Sequence, residues 1–376
     1  MSLSKNQSRL FKPLKIGNVE LRNRIVMAPL TRYRASDEHV VLPIVKTYYE
    51  QRASVPGTLL ISEATFISAR AGGMDNIPGI YNDAQIEAWK NVTAAVHARG
   101  CFIYCQLWAL GRAADSRVLH REGFDYVSSS GTRMKEKLPV PRELSDQEIR
   151  DYISDYATAA KNAIAAGFDG VEIHGANGYL PDQFLQDNCN KRTDKWGGSI
   201  ANRSNFHLSV AQAVVEAIGT ERTGIRLSPW SLFQGMRMAD PIPQFTHVVK
   251  GLKALNLAYL HLVESRISGS ADSEATGKND FAVDIWSTGP GSTPLLIAGG
   301  FNPDTARKCV DHEYKDRNIA VVFGRYFISN PDIVFRIDNG IDLQRYDRTT
   351  FYKAKSEDGY LDYPFSRQWQ EGTSRL

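Results

Sequence analysis

The stretch LLIAGGFNPDTARKCVDHEYKDRNIAVVFGR, residues 295–325, decides how the chain folds. It reads as an apolar run (Leu295–Gly299), a glycine pair, a helix opened by Pro303 and Asp304, and a second apolar run (Ile319–Gly324) ending in Arg325. Short, continuous apolar runs are what parallel strands buried on both faces require. A strand, a helix and a second parallel strand make one βαβ unit.

The same unit recurs through the chain. Candidate strands are Ile25–Pro29, Leu59–Ala64, Cys101–Leu107, Gly170–Gly175, Gly224–Pro229 and Ala258–Glu264, which with the two above make eight. Helical patterns fit between them. Asn82 with Gln85 opens one in the manner of a capping box, Ile86, Trp89 and Val96 follow at helical spacing, and Gly100 stops it. Ser145 with Glu148 caps the next, running to about Gly167. Phe206, Val210, Val214 and Ile218 mark another, ended by Gly219. No Gly-x-Gly-x-x-Gly turn follows the first strand, which disfavours an open nucleotide-binding sheet. A single (β/α)₈ barrel spanning residues 1–376 is expected, with Phe11–Arg24 as a hairpin closing its bottom. Two segments exceed the minimal repeat: Trp108–Leu144, a capping insertion over about 108–145, and Ser265–Ser287. Both follow strand C-terminal ends, where barrel active sites lie. Residues 340–376 form a C-terminal tail.

Composition narrows the function. The 45 basic and 42 acidic residues leave a net charge of +3, no sign of a nucleic-acid or membrane partner. No apolar run approaches the about 18 residues of a membrane helix, and Met1–Leu10 lacks an apolar signal core. Cys101, Cys105, Cys189 and Cys309 form no CxxC pair, so neither a disulfide framework nor a metal site is expected. The expected location is cytoplasmic, or peroxisomal through the terminal Ser374-Arg375-Leu376.

Polar residues gather at strand ends. Gly299-Gly300 and Gly324-Arg325 offer a phosphate seat of the kind barrels place after strands seven and eight. Arg226 should face the barrel interior, where a guanidinium needs an anionic partner. That partner is either a structural carboxylate or a ring edge, such as a flavin's, that becomes anionic on reduction. Gln106 at another strand end can both donate to and accept from such an edge. His174 and Asn177 can donate to one carbonyl or nitro oxygen, and Tyr179 adds a phenolic proton.

The run HGANGYLPDQFLQDNCNKRTDKWGGSIANR, residues 174–203, resembles the signature of the old yellow enzyme family of ene-reductases. The resemblance extends from Leu10-Phe11-Lys12-Pro13-Leu14 to Gly359-Tyr360-Leu361-Asp362-Tyr363-Pro364. Residues 51–58 further resemble a filamentous-fungal branch that includes ergot-alkaloid pathway reductases. The resemblance implies non-covalent FMN, with NADPH as hydride donor and reduction of the C=C bond of an α,β-unsaturated carbonyl or nitro compound. It implies Pro29, Leu30 and Ala64 as backbone contacts to the ring, and Thr31 as a hydrogen bond to it on the pocket side. Gln106 and Arg226 match the pyrimidine contacts; Gly300, Gly324 and Arg325 match the phosphate seat that Gly299 begins. His174 and Asn177 match the pair holding the substrate oxygen, and Tyr179 the proton donor. Trp108 matches a pocket wall, with Phe281 and Tyr363 as further walls. Ala201 stands where the family usually has Glu, at a helix start, and Ala64 where Gly is common.

Three other readings compete: a flavin-bound C=C isomerase, a metal-dependent barrel hydrolase using His174 with acidic residues and His261, and a non-catalytic binding barrel. The partner is expected to be a small molecule, with the chain a monomer or homodimer. The aromatic residues of Phe351–Trp369 are read as tail packing, and Arg133–Lys137 as a solvated loop.

Overall fold

A computed structural model describes residues 8–269, 271–274, 277–289 and 292–373. The terminal tripeptide 374–376 lies outside them. Eight parallel strands close on themselves: β1 Ile25–Met27, β2 Leu59–Ile61, β3 Phe102–Trp108, β4 Gly170–His174, β5 Thr223–Leu227, β6 Tyr259–Val263, β7 Leu295–Ala298 and β8 Ile319–Phe323. Each pairs with its neighbour in sequence, and β8 returns to pair with β1. Helices α1 Pro43–Arg52, α2 Asp83–Ala98, α3 Asp146–Ala165, α4 Ile200–Ile218, α5 Pro241–Ala254, α6 Asp280–Ser287, α7 Pro303–Lys308 and α8 Ile333–Asn339 surround the strands.

Alternation of side chains along each strand divides the apolar residues into two bodies. Outward residues such as Met27, Leu60, Ile103, Val171, Ile225, Leu260, Ile297 and Val321 join the helices in the main core. Inward Val26, Leu59, Ile61, Tyr104, Tyr259, Leu296, Ala320 and Val322 form a second cluster with Leu14, Ile16, Val19 and Leu21. Those last four come from the antiparallel hairpin of Leu14–Ile16 and Val19–Leu21, which plugs the barrel bottom as the sequence suggested. Gly224 is required here: a Cβ on it would sit 2.3 Å from the Tyr259 ring, which fills the space inside β5.

The capping signals hold with one change. Ser145 and Glu148 form the full reciprocal box at α3. Asn82 accepts from Gln85 N at 3.0 Å, but Gln85 Oε1 accepts from Tyr81 N rather than returning to Asn82. Ala201 lies in the first turn of α4, where Ser199 supplies the cap. The segment after β6 is a shorter loop than expected, because its last 8 residues form α6. The segment after β3 is also structured, with a helix at Ser116–Arg121 and Val127–Ser128 paired with Arg142–Glu143. No helix among the described residues is long and apolar enough to cross a membrane.

Candidate active site

A cavity of about 670 Å³ opens at the C-terminal ends of the strands. The interior explains its character. On β7, β8, β1 and β2 the inward residues are small or apolar, whereas β3 to β6 carry Gln106, Glu172, His174, Arg226 and His261 inward. One half of the barrel is a flat apolar wall and the other a polar one. Register puts Arg226 beside His174 on one strand and His261 on the other, with Gln106 beside Glu172.

The residues from the sequence converge. Pro29, Leu30, Thr31, Ala64, Gln106, Trp108, His174, Asn177, Tyr179, Arg226, Gly299, Gly300, Gly324 and Arg325 all line this one cavity. Burial, then the nearby Arg226 charge and the His261 ring, hold the His174 imidazole well below its usual pKa, so it is neutral. Its Nδ1 is buried and unpartnered, as is Arg226 Nε. Trp108 lies parallel to His174 at 6.3 Å between ring centres and meets Tyr179 edge-on at 4.8 Å. Tyr179 meets His174 edge-on at 4.7 Å, so all three rings share one corner. Burial raises the Tyr179 phenol above its ordinary pKa, so it stays protonated at neutral pH.

The turn after β4 aims these groups. Asn177 adopts a left-handed backbone, φ 57°, which asparagine tolerates better than most residues. Its N–H donates to Ser228 Oγ at 2.8 Å. Gly178 follows at φ 78° and donates to Asp182 Oδ2 at 2.9 Å. Burial pushes the Asp182 carboxyl up to about 6. Gln183 ties this turn to the β3 segment: Nε2 donates to Gly178 O and Leu110 O, while Oε1 accepts from Arg112 N and Ser128 Oγ. A Cβ on Gly178 would lie 2.8 Å from Gln234 Cβ, at a backbone angle side chains rarely adopt. Gly178→Ala is therefore expected to destabilise the fold by about 1–3 kcal/mol. Thermal unfolding checks this; an unchanged midpoint would contradict the strain.

Two expected walls lie elsewhere. Phe281 belongs to the first turn of α6, so it packs outside the barrel, with Trp230 edge-on at 6.5 Å. Tyr363 accepts from Asp347 N at 2.9 Å, away from the cavity lining. The tail reaches the site about ten residues earlier, through Phe351 and Tyr352. Tyr352 meets Tyr33 edge-on at 5.7 Å. Met134 and Lys135, read as solvated loop, also line the cavity, as do Tyr33, Met74, Phe233 and Gln234. None of these had a signal in the sequence; Tyr33 reaches the cavity from a left-handed backbone, φ 58°, rather than from a regular strand. Of the residues of the hydrolase reading, His261 Nδ1 donates to Glu172 at 2.8 Å, and among the described residues no three His, Cys, Asp or Glu side chains are grouped to hold a metal ion.

A planar cofactor with an anionic tail fits these residues. Small residues Ala28, Ala64, Ala298, Gly299 and Gly324 leave room along one wall, and the orphaned Arg226 Nε supplies a donor on the other. At the far rim the Arg325 guanidinium pairs with Asp272 at 2.6 and 3.1 Å and lies over the Tyr346 ring at 5.2 Å. Fold and site define a (β/α)₈ barrel whose mouth has room for a planar, anionic cofactor.

Comparison with known proteins bears on this directly. The NADH:flavin oxidoreductase / NADH oxidase family matches residues 9–344, and the chain belongs to that family of flavin-dependent oxidoreductases. It is 60% identical over 365 residues to the chanoclavine-I aldehyde reductase fgaOx3 of Penicillium roqueforti, covering 97% of this chain and 98% of that one. It is 51% identical over 369 residues to the NADP-dependent oxidoreductase lnbE of Aspergillus flavus, covering 96% and 97%. The crystal structure of Old Yellow Enzyme from Pichia sp. AKU4542 superposes with a TM-score of 0.87 at 39% identity, covering 96% of this chain and 94% of that one.

Proposed function

We propose that this chain binds FMN non-covalently and uses NADPH to reduce the C=C bond of α,β-unsaturated carbonyl compounds, aldehydes foremost. The observation that carries the reading is that His174, Asn177 and Tyr179 face the same cavity as Gln106 and Arg226. The fgaOx3 relative, an aldehyde reductase by name, supports an aldehyde substrate, and the NADP-dependent lnbE supports the donor.

Gln106 and Arg226 would hold the polar ring edge of FMN, Pro29, Leu30, Thr31 and Ala64 its near side, and Gly299, Gly300, Gly324 and Arg325 its phosphate. FMN, when bound, supplies the hydride carrier between the nicotinamide and the β-carbon of the substrate. The neutral His174 imidazole and the Asn177 amide donate to the substrate oxygen and stabilise the negative charge that develops there. Tyr179, kept protonated by its enclosure, delivers a proton to the α-carbon. That donor favours net reduction over isomerisation. Trp108, Tyr33, Tyr352 and Phe233 surround the substrate and exclude water.

Incubation with NADPH and 2-cyclohexenone should yield cyclohexanone in step with NADPH consumed. NADPH oxidation without the saturated ketone would defeat the substrate assignment.

A further inference from the structure

One carboxylate inside the barrel has no part in the scheme above. Glu172 points inward from the middle of β4 and is wholly buried. Its Oε1 accepts from Gln106 Nε2 at 2.7 Å. Its Oε2 accepts from His261 Nδ1 at 2.8 Å and from the Tyr259 hydroxyl at 3.1 Å. Burial alone would push this carboxyl up, but His261, Arg226 and Gln106 together bring it below its ordinary pKa, so it is ionised.

Two consequences follow from an ionised carboxylate at this place. A carboxylate only accepts hydrogen bonds, so it selects the NH₂ end of the Gln106 amide and leaves the carbonyl end for the cavity. The two ends of an amide are nearly the same shape, and packing would not choose between them. Burial lowers the Arg226 pKa and the nearby Glu172 carboxylate acts against that shift, so it offsets part of the charge that Arg226, the strand cation on the polar wall, presents to the cavity.

We propose that Glu172 is a positioning residue for the flavin ring: it fixes the orientation of Gln106 and, by partly neutralising Arg226, limits how strongly the site favours the reduced, anionic ring. This rests on the flavin reading above. Removing the charge should therefore make the reduced cofactor bind relatively better. Removing one donor to the carboxylate, while leaving the carboxylate in place, should do the opposite.

The test is the midpoint potential of the bound flavin in two variants of the full chain. Glu172→Gln keeps the side-chain shape and should raise the ratio of reduced to oxidised binding about tenfold, or roughly 30 mV for a two-electron couple. Tyr259→Phe removes the hydroxyl donor and should move the ratio about twofold the other way. Opposite signs separate positioning from mere structural support, which would move both in one direction or neither. A Glu172→Gln potential equal to that of the parent protein, or two shifts of the same sign, overturns the proposal. Should Glu172→Gln fail to fold, the sign for Tyr259→Phe decides alone, and an unchanged or raised potential overturns it. A parent protein that takes up no flavin overturns the flavin reading itself.

Discussion

Tyr179→Phe is expected to slow re-oxidation of the reduced protein by 2-cyclohexenone by about 10²–10⁴-fold, the usual worth of a placed proton donor. Reduction by NADPH should stay within about twofold, because the nicotinamide needs no proton from the protein in giving up a hydride. The asymmetry follows from the site. The Tyr179 ring is fixed by Trp108 at 4.8 Å and His174 at 4.7 Å, so phenylalanine can keep the position and lose only the hydroxyl. Stopped-flow traces of the two half-reactions measure this directly. Equal losses in both would remove the proton-donor role and point to a displaced ring instead.

The second large effect concerns the substrate oxygen. His174→Ala should weaken binding of a phenol, whose ionised oxygen resembles the developing enolate, and should slow enone reduction by about 10²–10³-fold, the range for losing one oxyanion donor. Enclosure makes the imidazole a strong donor, because no water competes for it. The same enclosure sets the pH dependence. His174 has its pKa lowered, so the ring is neutral from its depressed value upward and does not change charge between pH 6 and 8. Phenol affinity should then follow only the ionisation of the phenol. Were the ring protonated near the ordinary histidine value of about 6.5, affinity for the phenolate would rise as pH fell through it. A break there would contradict the neutral assignment, and unchanged phenol affinity in His174→Ala would remove the oxygen-binding role.

Much of this arrangement was legible before the structure. Parallel strands buried on both faces leave continuous apolar runs, so Leu295–Gly299 and Ile319–Gly324 could be placed to within a residue or two of the observed Leu295–Ala298 and Ile319–Phe323. The rest followed from barrel geometry, since inward residues near a strand's C-terminal end and residues just past it must face the mouth. That single rule collects Thr31, Gln106, His174, Arg226, Gly299 and Arg325 into one cavity although they are scattered over the chain. What escaped was set by loops. Phe281 looked like a wall because Ser265–Ser287 reads as one loop, yet Ala282, Val283 and Trp286 bury a helix face at spacings of one and three residues. Tyr352 and Met134 reach the cavity through segments without periodicity, so nothing in their spacing separates a lining side chain from an idle one. Glu172 carries no signal of its own in the sequence; its partners Gln106, Tyr259 and His261 come from β3 and β6, and only strand closure joins them.

The most direct test of the central claim is the visible absorption spectrum of the purified protein, taken anaerobically before NADPH, after NADPH, and after 2-cyclohexenone. The account predicts a yellow protein that bleaches with NADPH and regains its colour with the enone. A colourless protein that FMN cannot reconstitute, or one that NADPH bleaches but no enone restores, would contradict it.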